Sequence, residues 1–303
     1  MDRLTLKHLR YFDALATHTH FGRAAEACSI SQPALSLQIK ELEDLLGAPL
    51  VERGSRQIKL TALGQDFRRR TSSILVQLGE LADLARDTDS PLGGQLRLGI
   101  IPTAAPYLLP TIMTALMQSH GALNVQPREA ITDILIRDLL EARSDLAVVA
   151  LPISEPGLQE FALFDEDFVL IRPKKDEGQP VPDPKNLLSM RLLLLAEGHC
   201  FRDQALSFCS REGQQPQEVM EGSSLSTLVQ MVGAGIGVTL IPETAVSLEL
   251  RSAAVSVARF KPPRPSRTIG LVWRKSNPLA SHYMRIGAVI RQATYGSGQR
   301  VRS

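Results

Sequence analysis

The stretch FGRAAEACSISQPALSLQIKELEDLL, residues 21–46, decides the fold of the amino-terminal part of the chain. Its first residues predict a short helix over Phe21–Cys28. Ser31 is a typical N-cap and predicts the start of a longer helix, which Gly47 ends. Pro33 lies in the first turn of that helix, where its missing N–H does no harm. Two helices joined by a tight turn are typical of a helix-turn-helix.

The longer helix combines an apolar stripe with polar faces. Its polar side chains are those of Ser31, Gln32, Ser36, Gln38 and Lys40. Hydroxyl and amide groups can hydrogen-bond base edges and phosphates when such a helix lies in the major groove. A plain three-helix bundle with a polar exterior explains the same pattern, and the periodicity alone does not separate the two interpretations.

The segments that follow favour DNA binding. Leu50–Arg53 and Gln57–Leu60 flank a Gly-Ser turn and predict a small hairpin, whose tip carries the cations Arg53, Arg56 and Lys59. Such cations can bind flanking phosphates. Thr61 predicts the cap of a long helix that continues to about Asp87 with apolar residues at three- and four-residue steps. We expect two copies to dimerise through this helix, which would place two helix-turn-helix domains on two DNA half-sites.

Strands and helices alternate from Gly93 onward, which predicts mostly parallel sheets covered by helices. The strand candidates are Leu96–Ile101, Asn124–Glu129, Leu146–Ala150, Phe168–Arg172, Arg191–Leu195, Gly237–Pro242 and Thr268–Arg274. The helix candidates are Tyr107–Gln118, Asp133–Ala142, Phe201–Glu212 and Leu225–Gly233. The segment Asp89–Gly94 contains Pro and paired Gly and is the best domain boundary.

Composition excludes several classes of protein. The 303 residues are 44% apolar and 22% charged, as in a soluble protein of two or more domains. Three cysteines do not make a secreted disulfide framework, and we expect a reducing cytoplasm. We find no signal peptide and no apolar run long enough to span a membrane.

Charge is unevenly distributed along the chain. The net charge is 34 − 32 = +2, although the residues from Leu250 to Ser303 contain eleven Lys/Arg and no Asp/Glu. This basic stretch could bind nucleic acid, but such an excess is more often a solvated face or balances an acidic neighbouring surface. Residues 1–90 carry twelve cations and twelve anions, so bulk charge does not support DNA binding there.

Two of the cysteines invite a chemical interpretation. Cys200 follows a predicted strand and opens a predicted helix, whose partial positive charge favours thiolate. His199, Arg202 and Asp203 could polarise the thiol or bind an oxygen ligand. Peroxide converts a thiolate to a sulfenic acid, with which a second thiol can condense.

Cys209 lies nine residues after Cys200. On one regular helix the two would be about 13 Å apart along the axis and would point to opposite sides. A disulfide needs Cα atoms within about 7 Å, so its formation would require the helix to unwind or the loop to refold. The spacing alone favours two inert buried cysteines, a zinc site has weaker support still, and we expect Cys28 to lie in the core.

The residues quoted so far resemble the LysR-type transcriptional regulators. The resemblance rests on Phe21–Glu43, Leu46–Arg53 and Leu60–Thr61, and on Val232–Pro242 farther along. It implies an α/β protein with a winged helix-turn-helix, a linker helix and a two-lobed effector domain similar to periplasmic binding proteins. The corresponding ranges are 1–60 for the DNA-binding domain, 61–90 for the dimerising helix, 91–167 with 268–303 for lobe I, and 168–267 for lobe II. The implied DNA-binding residues are Ser31, Gln32, Pro33, Ser36, Gln38, Arg53 and Arg56.

Within that family the chain resembles the OxyR branch, whose members sense hydrogen peroxide. The segments that carry this resemblance are Ile101–Pro110, Leu163–Glu166, Gly198–Cys209 and Arg267–Val272. It implies that Cys200 is the peroxidatic thiol and Cys209 the resolving one. The implied peroxide pocket consists of Thr103, Thr132, His199, Asp203 and Arg267. Asp133 stands where such proteins often carry a second His, and its carboxylate could alter the polarity of the pocket.

The expected function is therefore that of a peroxide-responsive regulator of antioxidant genes. We expect it to bind promoter DNA as a dimer of dimers and to contact RNA polymerase, without enzymatic activity, cofactor or metal. Two alternatives stay open: a LysR-type regulator that binds a small organic ligand between the lobes, and a thiol peroxidase with a DNA anchor.

Overall fold

A computed structural model describes residues 4–52, 58–84, 95–121, 123–183, 187, 190–209, 219–251 and 253–295, with backbone alone at 80, 82–84, 209, 219 and 295. The chain forms two compact units, Met1–Ala85 and Arg86–Ser303.

The first unit is helical with one small hairpin. Its elements are α1 (Leu6–His18), α2 (Phe21–Ala27), α3 (Gln32–Leu46), β1 (Val51–Glu52), β2 (Lys59–Leu60) and α4 (Ala62–Leu84). The predicted caps are present: Ser31 Oγ accepts from the N–H of Ala34 at 3.4 Å, and Gly47 ends α3 with φ 68°. Thr61 Oγ1 accepts from the N–H of Gly64 at 3.0 Å. These local hydrogen bonds explain why the helix ends could be predicted from the sequence.

A buried cluster holds the helices of this unit together. Its fully buried members include Phe12, Leu15, Leu35, Ile39, Leu42 and Leu50. Phe12 also packs edge-on against Phe67 of α4, with ring centroids 5.3 Å apart. The apolar stripe of α3 is therefore a core face, and its polar side chains are left for other contacts.

The second unit contains one nine-stranded sheet flanked by helices. Its elements are β3 (Gln95–Ile100), α5 (Ala105–Ser119), β4 (Asn124–Glu129), α6 (Thr132–Leu140), β5 (Leu146–Leu151), β6 (Leu158–Pro173), a 3-10 turn (Lys174–Asp176), β7 (Leu192–Leu195), α7 (Cys200–Cys209), β8 (Val219–Gly222), α8 (Leu225–Gly233), β9 (Val238–Pro242), α9 (Glu243–Glu249), β10 (Val255–Arg259), β11 (Ser266–Arg274) and α10 (Ala280–Tyr295). The strand order is β4-β3-β5-β11-β6-β9-β7-β8, and β10 pairs with β6.

The expectation of mostly parallel pairing is wrong. β3 pairs in parallel with β4 and β5, and β7 with β8 and β9. However, β11 is antiparallel to β5 and β6, and β6 is antiparallel to β9 and β10. The reason is that β6 spans 16 residues, whose first half pairs with β11 and whose second half pairs with β9 and β10. Such a long strand belongs to no strand–helix–strand unit, so the rule for parallel pairing does not apply to it.

Two buried clusters make up the core of this unit. One draws on residues between 96 and 164 and between 269 and 290, and the other on residues between 168 and 260. We propose that these clusters are the cores of the two lobes, with the boundaries that the sequence suggested.

Several of the basic residues after Leu250 have partners within this unit. Arg259 contacts Glu243, Arg264 contacts Asp167 and Arg267 contacts Glu166. The guanidinium of Arg274 donates to backbone carbonyls, at 2.6 Å for Leu139. These contacts favour the interpretation that the basic stretch balances acidic neighbours.

Candidate functional site

A cleft of about 680 Å³ opens where α6, α7 and the end of β5 meet. Its polar lining includes Thr132, Cys200, Asp203 and Gln204, together with Asp133. One wall is apolar and consists of Ile136, Leu140, Ala150, Leu151, Pro152 and Ile153. We call this space the Cys200 cleft.

Cys200 is the first residue of α7 and a free thiol. It is half-buried and packs against the first of the two clusters described above. The turn before Cys200 contains Gly198 with a φ of +91°, a backbone conformation that glycine adopts more readily than other residues. A Cβ at that position would also lie 3.1 Å from Ile131 Cδ1. The turn thus positions the thiol at the N-terminus of α7, where the helix carries a partial positive charge.

Two polar atoms in the cleft are buried and have no hydrogen-bond partner among the described residues. They are Oγ1 of Thr132 and Oε1 of Gln204. A small ligand with hydroxyl groups could satisfy both, because one atom can donate or accept and the other can accept. Gln204 was not predicted from the sequence; its one signal is its position one turn after Cys200 on α7.

Arg267 lies in a separate buried cluster of polar groups. Its Nε donates to Glu166 Oε1 at 2.6 Å, and Nη1 donates to Thr103 Oγ1 at 2.8 Å. Thr244 donates to the other oxygen of Glu166, also at 2.6 Å. The guanidinium carbon lies 5.3 Å from the ring centroid of Phe201, the residue after Cys200. The Arg267 cluster therefore reaches the beginning of α7 through an aromatic contact.

The structure thus brings the expected pocket residues into two groups. Thr132, Cys200 and Asp203 line the Cys200 cleft. Thr103 and Arg267 bind each other. His199 is half-buried beside Cys200, and burial lowers the pKa of its imidazole while Glu129 opposes this shift. The imidazole is thus predominantly neutral at pH 7.

Arg202 has a different role from the one that its position suggested. Its guanidinium donates to the carbonyl of Leu195 at 2.9 Å and to Glu221 at 2.7 Å. These contacts fasten α7 to β7 and β8. Glu166, Thr244 and Phe201 were missed as site residues because their partners are distant in the sequence. Glu166 and Phe201 do lie within the quoted motifs Leu163–Glu166 and Gly198–Cys209, but no role was predicted for either.

Cys209 is the last residue of α7, so both cysteines belong to one regular helix of ten residues. The helical rise separates their Cα atoms by about 13 Å along the axis. The side chain of Cys209 lies outside the described residues. Cys28, expected in the core, is instead half-buried at the C-cap of α2, and burial raises the pKa of its thiol.

The expected DNA-contacting residues of α3 lie at its N-cap and within its first two turns. Ser31, Gln32 and Pro33 are exposed, whereas Ser36 and Gln38 are partly exposed. Nε2 of Gln38 donates to Glu41 at 2.6 Å. Lys59 of β2 is exposed, and Arg53 and Arg56 lie outside the described residues.

Two kinds of feature are absent from the part of the chain that the structure describes. In that part of the chain, no helix has the length and apolar character needed to cross a membrane. No three His, Cys, Asp or Glu side chains there are grouped so that they could hold a metal ion.

Comparison with known families gives two matches that together cover most of the chain. Residues 6–65 match the family described as bacterial regulatory helix-turn-helix protein, lysR family. Residues 89–293 match the LysR substrate binding domain.

Similar proteins and structures cover nearly the whole chain. A probable hydrogen peroxide-inducible genes activator of Streptomyces viridosporus is 42% identical over 95% of this chain and 94% of its own. The DNA-binding transcriptional dual regulator OxyR of Escherichia coli K12 is 38% identical over 98% of both chains. A full-length OxyR variant of Pseudomonas aeruginosa superimposes with a TM-score of 0.79, 34% identity and 99% coverage of both chains. A hydrogen-peroxide-bound OxyR mutant of Corynebacterium glutamicum gives a TM-score of 0.66 at 34% identity, with coverage of 97% and 94%.

Proposed function

The chain belongs to the LysR family of bacterial regulatory proteins, and we propose that it is a DNA-binding transcriptional regulator that senses hydrogen peroxide through Cys200. The observation that carries the proposal is the free thiol of Cys200, which opens α7 and lines a cleft on a chain that also carries a helix-turn-helix. The similarity to proteins named as peroxide-inducible activators supports the same signal.

The proposed chemistry uses both cysteines. The Cys200 thiolate attacks one oxygen of hydrogen peroxide, the O–O bond breaks, and the released hydroxide takes a proton to form water. Sulfur is thereby oxidised by two electrons to a sulfenic acid. The thiol of Cys209 then attacks that sulfur, a second water leaves, and a disulfide forms.

The pocket residues are proposed to bind and polarise the peroxide. The unpartnered hydroxyl of Thr132 is available to an oxygen ligand, and Asp203 lies in the same cleft. We assign supporting roles to His199, Thr103 and Arg267, the last two through the Arg267 cluster next to Phe201.

The helix geometry turns this reaction into a switch. Because α7 holds the two Cα atoms about 13 Å apart along its axis, a disulfide cannot form while the helix is intact. Disulfide formation must therefore unwind α7, which also carries Phe201, whose ring packs edge-on against Phe168 at 4.8 Å between centroids. A local redox event is in this way coupled to a change in packing.

The DNA-bound assembly is part of the proposal. The exposed N-terminal residues of α3 would contact bases. Arg53 and Arg56, which the sequence predicts near the hairpin tip, would contact phosphates. We propose that α4 pairs two copies, that two such dimers form a tetramer on promoter DNA, and that the tetramer contacts RNA polymerase in the cytoplasm. The protein acts by binding and not as an enzyme.

Footprinting of the reduced and the peroxide-treated protein on promoter DNA tests the proposal. We expect the protected region to change on oxidation, together with the loss of two hydrogens that mass analysis assigns to a Cys200–Cys209 link. Cys200→Ser should abolish both effects, whereas the matched control Cys28→Ser should abolish neither. A Cys200→Ser protein whose footprint still responds to peroxide would refute the proposal.

A second function is favoured by one observation, the apolar wall of the Cys200 cleft, which a hydrogen peroxide molecule does not need. A LysR regulator could bind a small organic ligand there. A footprint that ignores peroxide and changes with a metabolite, also in Cys200→Ser, would favour that alternative.

A further inference from the structure

The charges that line the Cys200 cleft are mostly negative. Carboxylates come from Asp133 on α6, from Asp203 on α7, and from Glu141 and Glu155 in the loops after α6 and β5. Arg137 is the single cation of the lining. The lining therefore carries a formal charge of 1 − 4 = −3, to which a Cys200 thiolate adds another negative charge.

Other groups near the cleft reduce this charge only in part. Arg143 forms an ion pair with Glu141 and offsets one carboxylate. The N-termini of α6 and α7 add about half a positive charge each. The imidazole of His199 adds none while it is neutral, because burial lowers its pKa. The cleft thus stays negative while its thiol is in the reactive form.

The rest of the lining accepts uncharged groups. The six apolar side chains of the wall can pack against a small organic group, and the unpartnered oxygens of Thr132 and Gln204 can hydrogen-bond a hydroperoxide. A volume of about 680 Å³ is far larger than hydrogen peroxide requires.

From these contacts we propose that the Cys200 cleft selects its oxidant by charge: it takes uncharged hydroperoxides, including those with a small apolar group, and repels anionic oxidants. The proposal rests on the proposed function and names the substrate class of the same site. With an alkyl hydroperoxide, the thiolate attacks the terminal oxygen, an S–O bond forms and the O–O bond breaks. The alkoxide that leaves takes a proton and becomes the alcohol, and sulfur is oxidised to the sulfenic acid as before.

Three oxidants separate charge from size. Hydrogen peroxide is small and neutral, tert-butyl hydroperoxide is bulky and neutral, and peroxymonosulfate is an anion at neutral pH. The measurement is the second-order rate constant for loss of the Cys200 thiol in the full-length protein. Each value is divided by that of free cysteine with the same oxidant, which removes the intrinsic reactivity of the reagent. We expect a clearly lower ratio of rate constants for peroxymonosulfate than for either hydroperoxide. Added salt should raise the peroxymonosulfate ratio, because it screens the repulsion.

Charge removal at the cleft gives the decisive comparison. Asp133→Asn should raise the peroxymonosulfate ratio about two- to fivefold more than it raises the hydrogen peroxide ratio, as for one unit charge a few ångströms away in a water-like medium. Adding Glu155→Gln should increase that selective gain. Asp183→Asn removes an exposed carboxylate outside the lining and is the matched control, so it should change no ratio.

The possible outcomes are distinct. If the double variant changes all three ratios equally or changes none, selection by charge is refuted. If tert-butyl hydroperoxide is excluded as strongly as peroxymonosulfate, size and not charge selects the oxidant, and the proposal also fails. If hydrogen peroxide itself oxidises Cys200 no faster than free cysteine, the proposed function fails, whatever the variants do.

Discussion

Removal of the Glu166 carboxylate should destabilise the second unit severely. The side chains of Arg267 and Glu166 are 0% and 1% exposed, and their ion pair is supplemented by Thr244 and Thr103. Glu166→Ala leaves the guanidinium buried without its counter-charge. Breaking a buried pair in this way costs about 3–5 kcal/mol. For a unit of this size, that corresponds to a melting temperature lower by about 6–20 °C.

Tryptophan fluorescence can report the unfolding of the second unit. Trp273 is the one tryptophan of the chain, and it is buried in the same unit with 1% exposure. Its fluorescence during urea titration gives the free energy of unfolding for wild type and variants. The control is Glu243→Ala, which breaks the exposed pair with Arg259 and should cost less than about 1 kcal/mol. Equal losses from Glu166→Ala and the control would refute the reasoning. Glu166→Ala combined with Arg267→Met should regain part of the loss, since no charge is then left buried.

Three further effects follow from the packing, the backbone and the protonation of named residues. Phe12→Ala should lower the free energy of unfolding of the first unit by about 3–5 kcal/mol, because a fully buried ring and its contact with Phe67 are lost. Circular dichroism during heating measures this loss of stability, and a loss below about 1 kcal/mol would contradict the prediction. Gly198→Ala should cost about 1–2 kcal/mol, because a positive φ strains any side chain and the new Cβ crowds Ile131; urea titration tests it, and an unchanged midpoint would count against it. The lowered pKa of His199 means that the folded state binds fewer protons than the unfolded state, so the free energy of unfolding should fall as the pH drops below about 6.5. His199→Gln should flatten this pH dependence. An identical pH profile in the variant would exclude His199 as its source.

The helix-turn-helix could be predicted in detail because its signals are local. Ser31, Gly47 and Thr61 each form or end a helix through groups within four residues, so their roles are written in short stretches of sequence. Pairing across the larger sheet has no such local signal. Strands β6 and β11 have the same alternation whether their neighbours are parallel or antiparallel, and only the path of the chain between the two clusters decides the direction.

The residues of the candidate site likewise differ in whether their signals are local in the sequence. Cys200 was found because the N-terminus of a helix and its chemistry are local, whereas Glu166 was not, since its partner Arg267 lies 101 residues away. The buried pair also changes the chemical role expected of Arg267. The sequence presents Arg267 as a cation that can stabilise a thiolate, but an arginine held 2.6 Å from a buried carboxylate acts at a distance as a neutral pair. The partial positive charge at the N-terminus of α7 is located at Cys200 itself, and it exists only while α7 is helical. In the proposed mechanism, the disulfide between Cys200 and Cys209 unwinds the helix whose N-terminus carries Cys200. The forward reaction then removes the surroundings in which the thiol reacted, as a sensor requires and a turnover catalyst does not.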